Sequence, residues 1–162
     1  MKKKFPRRIA RPRLCLAAAA AAVLLLGPPA AAQQVVDGDS LVVDGTTYRL
    51  HGIDAPDPAE ICGDGWPAGY EAEEYLGGLV EGRKVTCMPT TGDRDGETVA
   101  ICRADGVDLG AAMVTGGYAF AYVPYSARYI TQEDAARAAH RGLHAHKCLA
   151  PREWRARLGG AR

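Results

Sequence analysis

The chain has 162 residues, with 20 Lys or Arg and 19 Asp or Glu side chains, so its formal net charge is +1. This length is enough for one domain with a modest core. This net charge misleads, because it includes a basic N-terminal segment; the remaining chain is acidic, and an acidic body does not attract a polyanion over distance.

The first 32 residues have the layout of a secretory signal peptide. MKKKFPRRIARPR is basic and has no acid, LCLAAAAAAVLLL is an apolar run of 13 residues, and an Ala-x-Ala cleavage site ends at Ala32. A helix that spans a membrane needs about 20 apolar residues. We therefore expect residues 1–32 to be removed and the mature protein to be secreted or periplasmic, with no membrane span. The alternative is an uncleaved anchor.

Removal of this segment changes the charge. Residues 1–32 hold seven of the 20 basic side chains and no acid, so residues 33–162 carry 13 basic and 19 acidic groups, a net −6. Residues 33–127 carry a net −11, and residues 128–162 carry a net +5. The acidic body would attract cations. The basic residues 149–162 form a C-terminal tail, which is either solvated or a foothold for nucleic acid.

Four cysteines remain after the signal, an even number that suggests two disulfides in an exported chain. Four cysteines allow three connectivities. Cys87 and Cys102 flank a charged turn at nearly equal distances, so we pair them across a hairpin. That pairing leaves Cys62 with Cys148.

The elements of the mature chain begin with two β-rich runs that meet at Asp44-Gly45, a strong hairpin signal. Apolar spacing and turn residues predict further strands over 84–88 and 98–103. They also predict helices over 70–80, 107–114 and 131–142, with Thr131 as the N-cap of the third. The sketch is a small α+β protein with a mainly antiparallel β-body and about three helices.

One cluster of charged residues could carry chemistry. Asp37, Asp39, Asp54 and Asp57 lie near the two ends of the first hairpin, and Arg49 lies on its returning strand. Converging carboxylates suit a hard cation such as Ca²⁺, and an adjacent arginine suits a phosphate bound to it. The alternative is that these are ordinary turn aspartates.

The register of this hairpin is an obstacle to the cluster. A two-residue loop at Asp44-Gly45 pairs Asp39 with Leu50 and turns Arg49 to the opposite face. A three-residue loop, or a bulge near Gly38, would bring Asp39 and Arg49 to one face. Both alternatives stay open at this stage.

The stretches VVDGDSLVV, YRLHGIDAPD, GDRDGETVAIC and DLGAAMVTGGYAFAY together resemble the thermonuclease family, whose best-known member is staphylococcal nuclease. The resemblance covers about residues 35–146. It implies an OB-fold, a five-stranded antiparallel β-barrel with three helices, over residues 33–148. It also implies Ca²⁺-dependent cleavage of phosphodiester bonds in single-stranded DNA or RNA.

The resemblance assigns roles to individual residues. Asp39 and Asp54 match the metal-binding aspartates, and the backbone carbonyl of Ala55 is a further ligand. Arg49 matches the arginine that holds the scissile phosphate. Asp57 stands where the family has a glutamate that acts as general base or orients the attacking water, on a stem shorter by one methylene.

Glu97 is a second departure from the family pattern. The family has D-[RK]-Y-G-R where this chain has Asp93-Arg94-Asp95-Gly96-Glu97, so an acid replaces an arginine that stabilises charge on the phosphate. Loss of one such group costs about 10²–10³-fold in rate. The neighbouring Arg94 is a candidate substitute.

Weaker assignments complete the site. Tyr122 and Tyr125 lie near the positions where the family places tyrosines against the nucleotide, with aromatic packing as the alternative. Lys84 is a candidate phosphate contact. A zinc site formed by Cys148 and three histidines conflicts with the disulfide; these histidines are His140, His144 and His146.

Two functions follow from these observations. The first is a secreted Ca²⁺-dependent nuclease with reduced activity. The second is a non-catalytic OB-fold binding protein that retains the cation site. We expect a monomer, because no feature of the sequence indicates oligomerisation.

Overall fold

The computed structural model describes residues 33–94 and 96–159. The expected signal peptide, residues 1–32, lies outside these described residues. Chain order gives the following strands and helices: β1 (Gln33–Asp37), β2 (Ser40–Val43), β3 (Thr46–Leu50), β4 (Ile53–Asp54), α1 (Ala68–Val80), β5 (Val85–Arg94), β6 (Glu97–Ala104), β7 (Val107–Asp108), α2 (Leu109–Gly116), β8 (Phe120–Ala121), α3 (Ile130–Ala138), a 3₁₀ turn (Gly142–His144) and α4 (Pro151–Gly159).

The main sheet is mixed rather than antiparallel throughout. Its hydrogen-bonded order is β1-β2-β3-β6-β5, and β7 pairs with β6. The pairing of β3 with β6 is parallel, with Arg49 opposite Val99. Parallel neighbours need a long crossover, and here the connection contains α1. Local hairpin signals could not show this pairing.

The α+β class is confirmed, but the predicted closed barrel is wrong in detail. Across the described residues the sheet is an open path from β1 to β5. The chain leaves β3 through a turn at Gly52, whose φ is +76°. The short strand β4 then pairs with β8 in a separate two-stranded sheet. Eight strands and four α-helices are described, where five and three were expected.

The first hairpin has the two-residue loop. Val43 pairs with Thr46, and Ser40 pairs with Arg49. Asp44 and Gly45 both have positive φ, at 51° and 79°, as a type I′ turn requires. This turn matches the twist of the flanking strands, so the register that seemed to separate Asp39 from Arg49 is the one present.

The core lies between one face of the main sheet and the helices α1 and α2. Alternate residues of the hairpin, including Leu41 and Leu50, are buried. The buried stripe of α1 has helical spacing and contains Ala72, Leu76 and Val80. Burial of these apolar side chains contributes about 25 cal/mol per Å² of area removed from water. The packing fixes the hairpin against α1, close to the acid cluster.

Helix boundaries differ slightly from those expected. Helix α2 has Asp108 as its N-cap, whose carboxylate accepts a hydrogen bond from the Ala111 N–H at 3.1 Å. The predicted N-cap of α3, Thr131, is instead inside its first turn. The reason is tertiary, because the hydroxyl of the buried Tyr129 donates to Asp108 at 2.9 Å and fixes the start of α3.

Both predicted disulfides are confirmed. Cys87 and Cys102 are directly opposite each other on β5 and β6. Cys62 and Cys148, which are 86 residues apart, join the loop before α1 to the segment before α4. Residues 149–162, expected to be a basic tail, contain α4, and its first residue, Pro151, is buried. The C-terminal segment is therefore docked on the body.

Within the part of the chain that the structure describes, no helix combines the length and the apolar character needed to cross a membrane.

Candidate functional site

Asp39 and Arg49 form an ion pair despite their strand register. Asp39 lies in the turn between β1 and β2, so strand alternation does not determine where its side chain points. Its carboxylate accepts from Arg49 Nη2 at 2.8 Å and from the backbone N–H of Ala55 at 3.1 Å. The Ser40 hydroxyl donates to it at 3.3 Å. The expected cluster therefore forms without a change in the hairpin loop.

The turn that carries Asp39 depends on a close approach to α1. A Cβ at Gly38 would lie 2.7 Å from the Cβ of Ala72 and 2.8 Å from that of Ala55. The side chain of Asp37 accepts from the backbone N–H of Asp39 at 2.9 Å and closes the turn. This DGD sequence thus has a local structural reason: glycine permits the contact, and the first aspartate shapes the turn.

Asp54 is the second buried carboxylate of the cluster. It lies at the end of β4 and is 4% exposed, and Arg49 Nη2 is 3.8 Å from its Oδ1. Pairing with β8 holds this strand, because Asp54 is opposite Phe120. The next residue, Ala55, is also buried and gives its N–H to Asp39. Asp39, Asp54 and Ala55 are thus brought together as the resemblance implies.

The buried carboxyl group of Asp39 is the titratable group of this cluster that burial affects most. Burial, together with the charges of Asp37 and Asp54, raises the pKa of Asp39 to about 7. The guanidinium of Arg49 and the N–H of Ala55 oppose this shift. A carboxylate in this setting is costly to ionise unless a cation is near.

Asp57 stands at the rim of the cluster, in a half-buried position. The N–H of Glu60 donates to its carbonyl at 2.8 Å, which closes a turn over Pro58 and Ala59. Glu60 itself is 2% exposed, and neither of its carboxylate oxygens has a hydrogen-bond partner among the described residues. Burial first, and then the charge of Asp57, raises the pKa of Glu60 to about 7.

Glu97 begins β6 on the other side of Arg49. Its Oε2 lies 3.8 Å from Arg49 Nη1, and its side chain is 22% exposed. Arg49 therefore contacts three acids: Asp39, Asp54 and Glu97. The side chain of Arg94, the candidate substitute for the family arginine, lies outside the described residues.

The weaker candidates divide into near and distant groups. Tyr122 and Tyr125 stack with ring centroids 5.4 Å apart and line a small pocket together with Arg49. Lys84 is remote from the acid cluster. The next residue, Val85, pairs with Ala104 at one end of β6, and Glu97 is at the other end of that strand. Its role as a phosphate contact stays a prediction, without support from proximity.

Arg155 is the residue of the site that the sequence analysis missed. It lies on α4, and its Nη2 donates to both carboxylate oxygens of Asp54 at 2.9 Å. Its Nη1 lies 3.4 Å from Oδ2 of Asp57. The only signal available was the basic character of the tail, combined with the Cys62–Cys148 pairing that ties this segment to the body.

An open cleft of about 430 Å³ begins at Asp54 and runs between β8, α3 and the start of α4. Its walls include aromatic rings and two arginines, which are Phe120, Tyr122, Arg137 and Arg152. The cleft provides room for a ligand directly beside the acid cluster.

The alternative zinc site does not assemble. Cys148 is in a disulfide, His146 stacks on Trp66 with ring centroids 4.4 Å apart, and His144 packs edge-on against Phe120. Over residues 33–94 and 96–159, no three or more His, Cys, Asp and Glu side chains are grouped to hold a metal. Any cation at Asp39 and Asp54 would therefore need backbone carbonyls and water as its other ligands.

Comparison with known families identifies the fold. Residues 47–146, more than half of the chain, match the model of the family described as "Staphylococcal nuclease homologue". The chain belongs to the staphylococcal nuclease family. Asp54, Asp57 and Glu97 lie inside the matched region, whereas Asp39 precedes it.

Two relatives of this nuclease family show how far the similarity extends. The rice (Oryza sativa subsp. japonica) protein named "Probable staphylococcal-like nuclease CAN1" is 32% identical over 121 residues, which cover 73% of this chain and 35% of the relative. The "Succinoglycan biosynthesis protein ExoI" of Rhizobium meliloti (strain 1021) is 31% identical over 91 residues, 52% of this chain and 48% of the relative. The chain thus matches less than half the length of each.

Proposed function

We propose that this protein is an exported Ca²⁺-dependent nuclease that hydrolyses phosphodiester bonds in single-stranded DNA or RNA, with reduced activity. The observation that carries the proposal is the convergence of Arg49 on two buried carboxylates, those of Asp39 and Asp54. Family membership and the word "nuclease" in the name of the rice relative add support.

The donor set fits a hard cation. Asp39 and Asp54 supply buried carboxylate oxygens, and Ca²⁺ would have to compete for them with the guanidinium groups that contact them. Together with the carbonyl of Ala55, these oxygens are the ligands that Ca²⁺ prefers. When bound, Ca²⁺ would offset the negative charge of a phosphodiester held beside it.

The side chains of this chain have distinct tasks in the reaction. Arg49 would donate hydrogen bonds to the non-bridging phosphate oxygens. Asp57, at the half-buried rim, would accept a proton from the attacking water. The new P–O bond forms as the bond to the leaving oxygen breaks, and the leaving alkoxide takes a proton from solvent. Because Asp57 has a shorter stem than glutamate, its carboxylate stands farther from the water, and a displacement of about 1 Å can cost about 10²-fold.

Glu97 supports reduced activity. A carboxylate 3.8 Å from Arg49 Nη1 competes with the phosphate for this guanidinium. It also repels the charge that develops in the transition state. The same observation favours the second candidate function, a binding protein that retains the cation site without catalysis.

Export of the mature chain, residues 33–162, to a periplasm or to the extracellular space is part of the proposal. The two disulfides support it, because such bonds persist in oxidising compartments. The signal-like layout of residues 1–32 is the second support. We propose that the mature protein acts as a monomer.

A cleavage assay of residues 33–162 on single-stranded DNA tests this function. Cleavage should require Ca²⁺, stop on addition of EDTA and fall at least about 100-fold in Arg49→Ala. Arg83→Ala removes an equal charge from an exposed site and should leave the rate unchanged. If calorimetry shows that Ca²⁺ binds but no cleavage occurs at any Ca²⁺ concentration, the nuclease function is rejected and the non-catalytic binding function is favoured.

A further inference from the structure

Helix α4 is held against the acid cluster by contacts that do not involve Arg155. The Cys62–Cys148 disulfide lies three residues before its first residue, Pro151, which is buried. The half-buried Trp154 lies beside the loop that contains Glu60 and Cys62. Helix α4 therefore has its own anchors, and Arg155 is not needed to hold it in place.

The guanidinium of Arg155 approaches the cluster from α4, whereas that of Arg49 approaches it from β3. Both are near Asp54, at 2.9 Å for Arg155 Nη2 and 3.8 Å for Arg49 Nη2. A guanidinium has five N–H donors, and the hydrogen bonds to Asp54 and Asp57 engage at most three of those on Arg155. The side chain is also 36% exposed. Arg155 is therefore within reach of solvent and of a ligand beside Asp54.

Among the side chains that the structure describes, acids outnumber cations around Arg49. Glu97 lies beside Arg49, so this guanidinium has three acids in contact with it. Arg155 brings a further guanidinium to one of these acids, Asp54. It comes from α4, which also forms one wall of the 430 Å³ cleft next to Asp54.

We propose that Arg155 is a substrate-binding residue that supplies the second guanidinium to the scissile phosphate, from α4 rather than from the β5–β6 hairpin. This inference rests on the proposed function. Once a cation takes up the carboxylate oxygens of Asp54, the donors of Arg155 become available for non-bridging phosphate oxygens. A planar fork suits this task because it contacts two oxygens of a phosphate at once.

The two roles of Arg155 predict opposite changes in two affinities. As a competitor for Asp54, it weakens binding of Ca²⁺ alone. As a phosphate ligand, it strengthens binding of a nucleotide in the presence of Ca²⁺. A residue that served only as an ion pair within the fold would change neither affinity in this pattern.

Calorimetry measures both affinities with thymidine 3′,5′-bisphosphate, which has terminal phosphates but no phosphodiester bond to cleave. In Arg155→Ala, the bisphosphate should bind at least about tenfold more weakly with Ca²⁺ present. Ca²⁺ alone should bind more tightly than to the unaltered protein, because a competitor for Asp54 is gone. Arg155→Lys keeps the charge and loses the fork, so its bisphosphate affinity should lie between the two.

Arg157→Ala is the matched control, because it removes the same charge from an exposed position on the same helix. It should bind the bisphosphate as the unaltered protein does. Thermal melting of each variant establishes that it is folded, and Arg155→Lys carries the test if Arg155→Ala does not fold.

The outcomes separate this inference from the function it rests on. If Arg49→Ala loses the bisphosphate and Arg155→Ala binds it normally or more tightly, Arg155 is only a cation that competes for Asp54, and the inference is overturned alone. If the unaltered protein binds neither Ca²⁺ nor the bisphosphate, the proposed function and the inference fall together.

Discussion

The site has a sheet side and a helix side, and they are built in different ways. On the sheet side, two residues that contact Asp39, Arg49 and Ala55, lie 10 and 16 positions from it in the chain. On the helix side, Arg155 is 101 positions from Asp54. The first side depends on a hairpin turn, and the second depends on a disulfide and a docked helix. Local interactions therefore position the guanidinium of Arg49, and long-range interactions position that of Arg155.

The helix side can be broken by removing its cross-link, which should give the largest effect. The Cys62–Cys148 bond closes a long loop, and its loss in Cys62→Ser/Cys148→Ser should lower the free energy of unfolding by about 4–5 kcal/mol. It should also weaken bisphosphate binding to the level of Arg155→Ala, because α4 is no longer tied to the body. Denaturant unfolding and calorimetry measure the two effects.

The matched control for this change is Cys87→Ser/Cys102→Ser. This bond joins residues 15 apart on strands that are already paired, so its loss should cost about 3 kcal/mol and leave bisphosphate affinity intact. If both double variants lost the same bisphosphate affinity, the Cys62–Cys148 bond would have no specific role in positioning Arg155.

The sheet side can be broken at Asp39. Asp39→Asn removes one carboxylate of the proposed cation site and the ion-pair partner of Arg49. The cleavage rate should fall at least about 100-fold, since loss of a residue that only hydrogen-bonds to a metal ligand already costs about 10–100-fold in metal affinity. The rate on single-stranded DNA with saturating Ca²⁺ is the measurement.

Asp44→Asn serves as the control for this loss. Asp44 is exposed in the hairpin loop with φ of 51°, a conformation that asparagine also tolerates. Asp44→Asn should leave the cleavage rate unchanged. If Asp39→Asn also leaves it unchanged, Asp39 is only a turn residue.

Glu97→Arg sharpens the comparison by adding a cation to the sheet side. It replaces a carboxylate 3.8 Å from Arg49 Nη1 with the residue that the family pattern has there, so activity should rise about tenfold or more. Glu97→Gln, which removes the acid without adding a cation, should give a smaller gain. The gain from Glu97→Arg should be larger in an Arg155→Ala background. No change in any of these variants would mean that Glu97 does not face the substrate.

The smallest predicted effect concerns the buried acid beside α4. The pKa of Glu60 is raised to about 7 from its ordinary 4.5, so the folded state holds a proton that the unfolded state releases between these values. Stability should therefore fall as pH rises from about 4.5 to 7, with the full penalty above 7. The charges that act on Glu60 are those of Asp54, Asp57 and Arg155, and Lys147 and Arg157 line the space beside it.

Glu60→Gln removes this charge and should stabilise the protein at pH 8 by about 1 kcal/mol, the low end for a buried unpaired group because the amide is itself unpaired. At pH 5 the two proteins should melt at similar temperatures. Glu71→Gln, on the half-buried face of α1, controls for the general effect of one acid less. A stabilisation that does not depend on pH would contradict ionisation of Glu60 as its cause.

The sequence led to the family, the α+β class, both disulfides and the grouping of Asp39 with Arg49. Each of these follows from short-range patterns or from cysteine pairing. The expected obstacle in the hairpin register arose because strand alternation was applied to Asp39, which lies in a turn. The all-antiparallel sheet was wrong because β3 and β6 pair in parallel across a helix, which no local pattern reveals. The closed barrel was wrong because β1 and β5 stand at the two ends of the hydrogen-bonded path.

By itself, the sequence determined the residues of the sheet side and the acid at position 97, since spacing of a few residues along a hairpin sets which groups can meet. Only the tertiary structure decided that Arg155 contacts Asp54 and Asp57. The physical reason is that a contact between residues 101 positions apart depends on how α4 packs and where the Cys62–Cys148 bond holds it. The basic tail supplied the charge, and the fold placed it at the acid cluster.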